Sequence, residues 1–263
     1  MAGKTISIGF KIEDGKDGLK NLVVDANALS KAMKGTLQEA KSLKKSMVDI
    51  GAVSFGLDAV SGALNSLQGA MGSLIDAYNV QIEAETKLET VMRERLGATD
   101  AQIQSIKDLC SAQQQLGVIG DEVQLAGAQQ LTTFLNSQKA LETLIPAMNN
   151  LVAQQKGYNA TGSDAVSIGN LLGKVMQGQV NALKKVGITF TEAEKKALQF
   201  GTEEERAAVL ARVVVNNVGE MNAALAATTS GQMKQDAINI GDVQERLGGM
   251  VKVLQPGVMF INQ

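Results

Sequence analysis

From Leu57 to Tyr78 the apolar residues follow a strict alternation of three and four: Leu57, Val60, Leu64, Leu67, Met71, Leu74, Tyr78. A repeat of about 3.5 residues is the seam of helices that wind on one another, and one helix cannot bury such a seam alone. Gly56, Gly62, Ala63, Gly69, Ala70 and Gly72 lie between the seam residues and allow close helix approach. In a lipid bilayer small residues at this spacing would mark a helix-dimer face. Asp58, Asn65, Gln68 and Asp76 interrupt the segment, so a soluble bundle or coiled coil fits better than a membrane span. A looser seam precedes it, through Leu22, Ala26, Leu29, Met33, Leu37, Ala40, Leu43, Met47 and Ile50. Lys31, Lys34, Lys41, Lys44 and Lys45 along that stretch read as a solvated face. No aromatic residues are interleaved there for base stacking.

The rest of the chain agrees with a helical protein. Among 263 residues only Pro146 and Pro256 are prolines, and the apolar side is carried by Ala, Leu, Val, Ile and Met, with no Trp. The 27 glycines are discordant, because Gly in a helix interior costs roughly 0.5–1 kcal/mol relative to Ala. Such helices are either often interrupted or stabilised by packing. Ile6, Ile8, Phe10 and Ile12 alternate with small or polar residues, the period of a half-buried strand, and Asp14 to Gly18 supplies a turn.

Beyond residue 98 the helices are shorter and carry start signals. Thr99 with Gln102, Thr191 with Glu194, and Thr202 with Glu205 have the spacing of reciprocal caps. Gly117 and Gly120 punctuate before Asp121, residues 157–163 read as a loop, and Phe200-Gly201 ends a helix. Pro146 should kink or end the helix that contains it. The stripe Leu210, Val214, Met221, Leu225 marks one amphipathic helix, and a last helix over about 232–252 stops near Pro256. The expected architecture is all-α: a β-like arm and turn over 1–18, a long coiled-coil-like segment over 19–97, a compact helical region over 98–230, and a C-terminal helix with an unstructured end over 231–263. A second short β segment is expected near Ile188-Thr189.

Several chemistries are excluded by what is missing. The chain has no His and a single Cys, Cys110, so neither a Cys/His zinc site nor a histidine-dependent nucleophile can be built. A net charge of −2 argues against a DNA-coating protein. No amino-terminal run has the form of a signal peptide, and no apolar run is long enough for a transmembrane helix. Gly169 to Val175 is close to a phosphate-binding loop, but the spacing is one residue short and Val175 replaces the magnesium-binding hydroxyl. Asp14 to Gly18 lacks the ligand spacing of a calcium loop. Asn159-Ala160-Thr161 matches a glycosylation acceptor, which has no meaning without secretion. Glu203, Glu204 and Glu205 open a helix, where carboxylates favour the positive end of the dipole. The residues thus predict no catalytic site, no metal site and no cofactor.

The stretch 165–228 carries a resemblance. It contains Gly173-Lys174 through Gly178, then Ala182-Leu183 through Gly187-Ile188, then Thr202-Glu-Glu-Glu-Arg206, in that order. This run resembles the core region of bacteriophage tail tape measure proteins, in which a Gly-x-x-x-x-Gly-like element, an Ala-Leu-x-x-x-Gly-Ile turn and a Thr-Glu-Glu-Arg helix start follow one another. The close match covers about a quarter of the chain. The resemblance implies a structural protein of the virion that lies in the lumen of the tail tube during assembly, sets tail length, and is expelled at DNA delivery. Its implied partners are tail tube subunits, tail assembly chaperones and tail-tip proteins, beside self-association as a helical bundle, with synthesis in the bacterial host cytoplasm. It implies no small-molecule substrate and no specific nucleic-acid site; transient membrane contact stays open. Family members are usually much longer, which reads as a fragment, a truncated prophage gene or a split tape measure. Two other classes share some of these features. A helical secreted effector or membrane-active pore-former would share the Gly/Ala-rich amphipathic helix. A catalytic tail protein would need a hydrolase module that these residues do not form.

Overall fold

The computed structural model describes residues 54–259 and two dipeptides nearer the amino terminus, with side-chain environments for 72–249 and 252. The described chain is predominantly helical. In chain order the helices are α1 (Ser54–Leu96), α2 (Asp100–Leu116), α3 (Asp121–Thr132), α4 (Gln138–Lys156), α5 (Gly162–Met176), α6 (Glu192–Phe200), α7 (Glu203–Val218), α8 (Met221–Ala226) and α9 (Thr229–Met259). Short 3-10 segments cover Gly157–Asn159 and Val180–Val186. The dipeptides β1 (Lys11–Ile12) and β2 (Leu22–Val23) pair antiparallel, Lys11 opposite Val23 and Ile12 opposite Leu22. Leu22 is therefore extended, although the upstream seam starts its helix there. The remainder of the expected arm, the turn at Asp14 to Gly18 and the upstream seam from Ala26 to Ile50 lie outside the described residues.

The chain divides into two compact units, Asn79–Gln244 and a second formed by Met1–Tyr78 with Glu245–Gln263. In the second unit α1 and α9 meet through small residues. A Cβ added at Gly248 would overlap the Leu74 carbonyl, and one at Gly249 would stand 2.9 Å from the Tyr78 ring. Lys252 Nζ lies 5.2 Å from the centroid of that ring, within cation–π range.

The unit Asn79–Gln244 has one apolar core. It includes the last turns of α1, where Leu88 and Met92 are fully buried. α4 is its central helix: Leu141, Leu144, Ile145, Met148, Leu151 and Val152 are all inaccessible. α7 packs on α4 through Ala207, Leu210 and Val214, and α3 packs on α5. The α3–α5 contact is set by glycines. A Cβ on Gly169 would lie 2.6 Å from the Gly127 carbonyl oxygen, so the two backbones approach as closely as they do only because no side chain intervenes.

Local signals position these helices. Thr99, Thr161, Thr191 and Thr202 each accept a hydrogen bond from the backbone N–H three residues on, while Gln102, Asp164, Glu194 and Glu205 return the bond to the threonine N–H. Three of these reciprocal caps are the ones the spacing predicts. The Thr161 cap falls where a loop through residue 163 is expected, and α5 starts inside that stretch.

Other expectations are corrected. α4 passes through Pro146 without ending. α9 likewise continues past Pro256 to Met259, and it starts at Thr229. Ile188 and Thr189 form no strand; Ile188 is a buried residue of the connection before α6. The stripe from Leu210 to Leu225 spans two helices, because Gly219 takes a φ of +68° and separates α7 from α8. Periodicity carries across that break by coincidence of register, and only the left-handed backbone at Gly219 marks it.

Candidate functional site

The motif residues of the stretch 165–228 lie around the end of α5, the 3-10 segment Val180–Val186 and the start of α7. Gly173 is buried in α5, where a Cβ would collide with the Phe134 ring. The stretch Gly169 to Val175 is therefore helix interior and no phosphate-binding loop. Gly178 follows the helix with a φ of +85°. Leu183 is fully buried, and Gly187, left-handed at φ 83°, ends the 3-10 segment by donating to the carbonyls of Leu183 and Lys184. Ile188 then donates its N–H to the same Leu183 carbonyl at 3.1 Å. Thr202 caps α7, and Arg206, one turn in, donates from Nη1 to the Met176 carbonyl at 2.9 Å. A cationic side chain at a helix C-terminus satisfies an orphan carbonyl and favours the dipole. Each of these residues thus acts on the backbone path between α5 and α7.

Beside this junction lies a cleft of about 410 Å³ whose rim includes Leu171, Lys174, Gly178, Val180, Asn181 and Lys185. Lys174 is half-buried and Lys185 exposed. Of the seam residues, Leu74 is half-buried; Leu57, Val60, Leu64, Leu67 and Met71 stand on helical backbone, and their side-chain environments lie outside the described residues.

A second cluster has no counterpart in the sequence reading. Around the α2–α3 connection, buried amides replace apolar packing. Asn222 accepts from the Val118 N–H at 2.8 Å, and its own N–H donates to Asn150 Oδ1 at 3.0 Å. Asn149 Nδ2 donates to Gln124 Oε1 at 2.7 Å, and Gln124 Nε2 donates to the Ile119 carbonyl at 2.8 Å. Gln114 Oε1 accepts from the Asp121 N–H at 2.6 Å, and its Nε2 donates to Asp242 at 2.9 Å. These bonds fix a loop whose backbone groups would otherwise be buried without partners. The local signal is the placement of Asn149-Asn150 within an apolar helix; the partners are too distant in sequence to be foreseen.

Burial pushes the Asp121 and Glu122 carboxyls above their ordinary values, against the hydrogen bonds that favour ionisation. Burial, helped by the nearby Asp121 charge, pushes the Cys110 thiol up to about 12. Cys110 is a packing residue of α2, fully inaccessible. Among the described residues no group of three or more His, Cys, Asp or Glu side chains is placed to hold a metal ion. Among them, too, no helix is long and apolar enough to cross a membrane.

These two clusters define a helical scaffold whose distinctive residues hold backbone junctions. No protein-family model, curated protein or solved structure matches the chain.

Proposed function

We propose that this chain is a structural, non-enzymatic segment of a phage tail tape measure protein, lying in the tube lumen and setting tail length through its helical rise. The observation that carries the reading is the ordered run Gly173 to Gly178, Leu183 to Ile188 and Thr202 to Arg206. The heptad seam on α1 supports it, since a helix rises about 1.5 Å per residue and converts residue count into length. On this reading the seam drives parallel self-association, the compact unit is a separate folded module, and tube subunits, assembly chaperones and tail-tip proteins are the partners.

The test is tail length measured by electron microscopy in phage carrying deletions in the complete gene. Removing the two heptads 57–70 keeps the seam in register and should shorten the tail by roughly 20 Å at 1.5 Å per residue. Removing 165–178 should abolish folding instead, because Ala165, Ile168, Leu172, Val175 and Met176 are core residues. Unchanged tail length with normal infectivity after the heptad deletion removes the ruler reading. Binding of the purified protein to liposomes at neutral pH would favour a membrane-active protein.

A further inference from the structure

The cleft beside the α5–α7 junction is lined by lysines that the junction itself does not use. Its volume is about 410 Å³, and Lys174 of α5 and Lys185 of the 3-10 segment line it from two elements. A lysine near a helix end ordinarily serves the last carbonyls of that helix. At the end of α5 those carbonyls are already served. The Gly173 oxygen accepts from the Gln177 N–H at 3.1 Å, and the Lys174 oxygen from the Gln179 N–H at 2.9 Å. The Val175 oxygen accepts from the Gly178 N–H at 2.9 Å, and the Met176 oxygen from Arg206. The 3-10 segment is closed in the same way, since Gly187 and Ile188 both donate to the Leu183 oxygen. Among the described residues neither the Lys174 nor the Lys185 ammonium has an ion-pair or hydrogen-bond partner.

The surroundings leave that charge uncompensated. No Asp or Glu occurs between Asp164 and Glu192, a stretch that holds Lys174, Lys184 and Lys185. Among the described residues no carboxylate lines the cleft. The rest of its wall is chemically mixed. Gln179 and Asn181 offer exposed primary amides, each both donor and acceptor, while half-buried Leu171 and Val180 offer apolar surface. Ammonium groups pair with carboxylates, and side-chain amides match the N–H and C=O of an extended backbone. Arginine, whose fork meets phosphate through two bonds at once, does not line the cleft, and no aromatic ring is there to stack a base. An acidic peptide therefore matches this wall better than a phosphate group or a nucleic-acid strand does.

We propose that this cleft docks an acidic segment of a partner protein. Two carboxylates of the segment meet Lys174 and Lys185, and its backbone meets the amides of Gln179 and Asn181. Such docking does not depend on the chain acting as a ruler, so it stands or falls apart from tail length.

A hexaglutamate peptide titrated into the isotope-labelled full-length protein, followed by amide chemical shifts, tests this. The amides of Gly178, Val180 and Asn181 should move while those of α4 stay in place, and added salt should weaken the binding by screening. Lys174→Gln with Lys185→Gln should weaken it by about tenfold. Lys139→Gln with Lys196→Gln removes the same charge from outside the cleft and should change affinity by no more than about twofold. If the first pair does not fold, Lys185→Gln alone, at an exposed side chain, should weaken binding by about threefold. Unmoved amides at the cleft overturn the proposal, as does equal weakening in cleft and control variants, which would mean diffuse attraction. Inorganic phosphate or a single-stranded oligonucleotide that moves the same amides at lower concentration than the peptide also overturns it, and assigns the lysines to phosphate.

Discussion

Arg206 donates to the main-chain oxygen of Met176 across 30 positions of sequence, so the first turn of α7 closes the open end of α5. Its Nε is buried without a partner, which makes the guanidinium a group held for that one contact. Hydrogen bonds to charged groups contribute about 1.5–3 kcal/mol when one partner is removed. Arg206→Ala should lower stability by about that amount in urea titration, with an unchanged m-value. A midpoint equal to the wild type would mean that the Met176 carbonyl is served equally well by water.

The α3–α5 contact should tolerate no side chain at Gly169. Gly169→Ala sets a Cβ against the Gly127 backbone, which cannot swing aside, and overpacking of this kind costs typically 1–3 kcal/mol. Gly162→Ala is the matched control, because its Cβ would meet Ala126 at 3.4 Å, an ordinary contact. Thermal melts should separate the two variants by several degrees; equal melting temperatures would show that the helices can part without cost.

Glu203 serves a helix other than its own. Its Oε1 accepts from the N–H groups of Asn136 and Ser137 at 2.7 and 3.0 Å, at the start of α4, while it opens α7. Glu203→Ala should therefore destabilise by about 1 kcal/mol, as loss of a helix cap does. Amides of the first turn of α4 should exchange faster in that variant, and unaltered exchange there would contradict the assignment.

The threonine caps of α5 and α6 should loosen in acid. The Asp164 and Glu194 carboxyls are held below their ordinary values, chiefly by Thr161 and Thr191. Carboxyls lowered in the fold contribute stability above the ordinary carboxylate range that is lost as pH falls through their depressed values. Below about pH 4, in the range where such carboxyls titrate, the first turns of α5 and α6 should fray. Chemical shifts of the Thr161 and Thr191 amides followed on acidification check this; movement beginning well above that range would contradict it.

Cys110 should resist thiol reagents in the native protein at pH 8, because a thiol pushed up to about 12 and fully inaccessible supplies almost no thiolate. One equivalent should react on unfolding in denaturant. Rapid native labelling would mean that α2 opens from the core far more often than its packing allows.

What could be read from the residues divides by sequence distance. The caps at Thr99, Thr191 and Thr202 were legible because both partners lie within one turn. The break at Gly219 was not, since Leu210, Val214, Met221 and Leu225 keep helical spacing across it. Pro146 misled for a different reason: α4 is buried along most of its length, and that packing outweighs the lost hydrogen bond. Motif residues such as Gly173 and Gly187 could be picked out by order alone, but their roles depend on Phe134 and Leu183 and appear only in three dimensions. The amide cluster was invisible, because Asn222 and Val118 are 104 positions apart and neither residue type announces the other.

The reciprocal threonine caps have a consequence for how such a chain can change over generations. Each carries the instruction to begin a helix within four residues and asks nothing of the preceding segment. An insertion in the connection ahead of Thr99, Thr191 or Thr202 would lengthen that connection without shifting which residues of the next helix face inward. An insertion after the cap would rotate the whole buried face toward water. Length variation in this unit is therefore expected to accumulate just upstream of its threonines, where each helix restarts its own count.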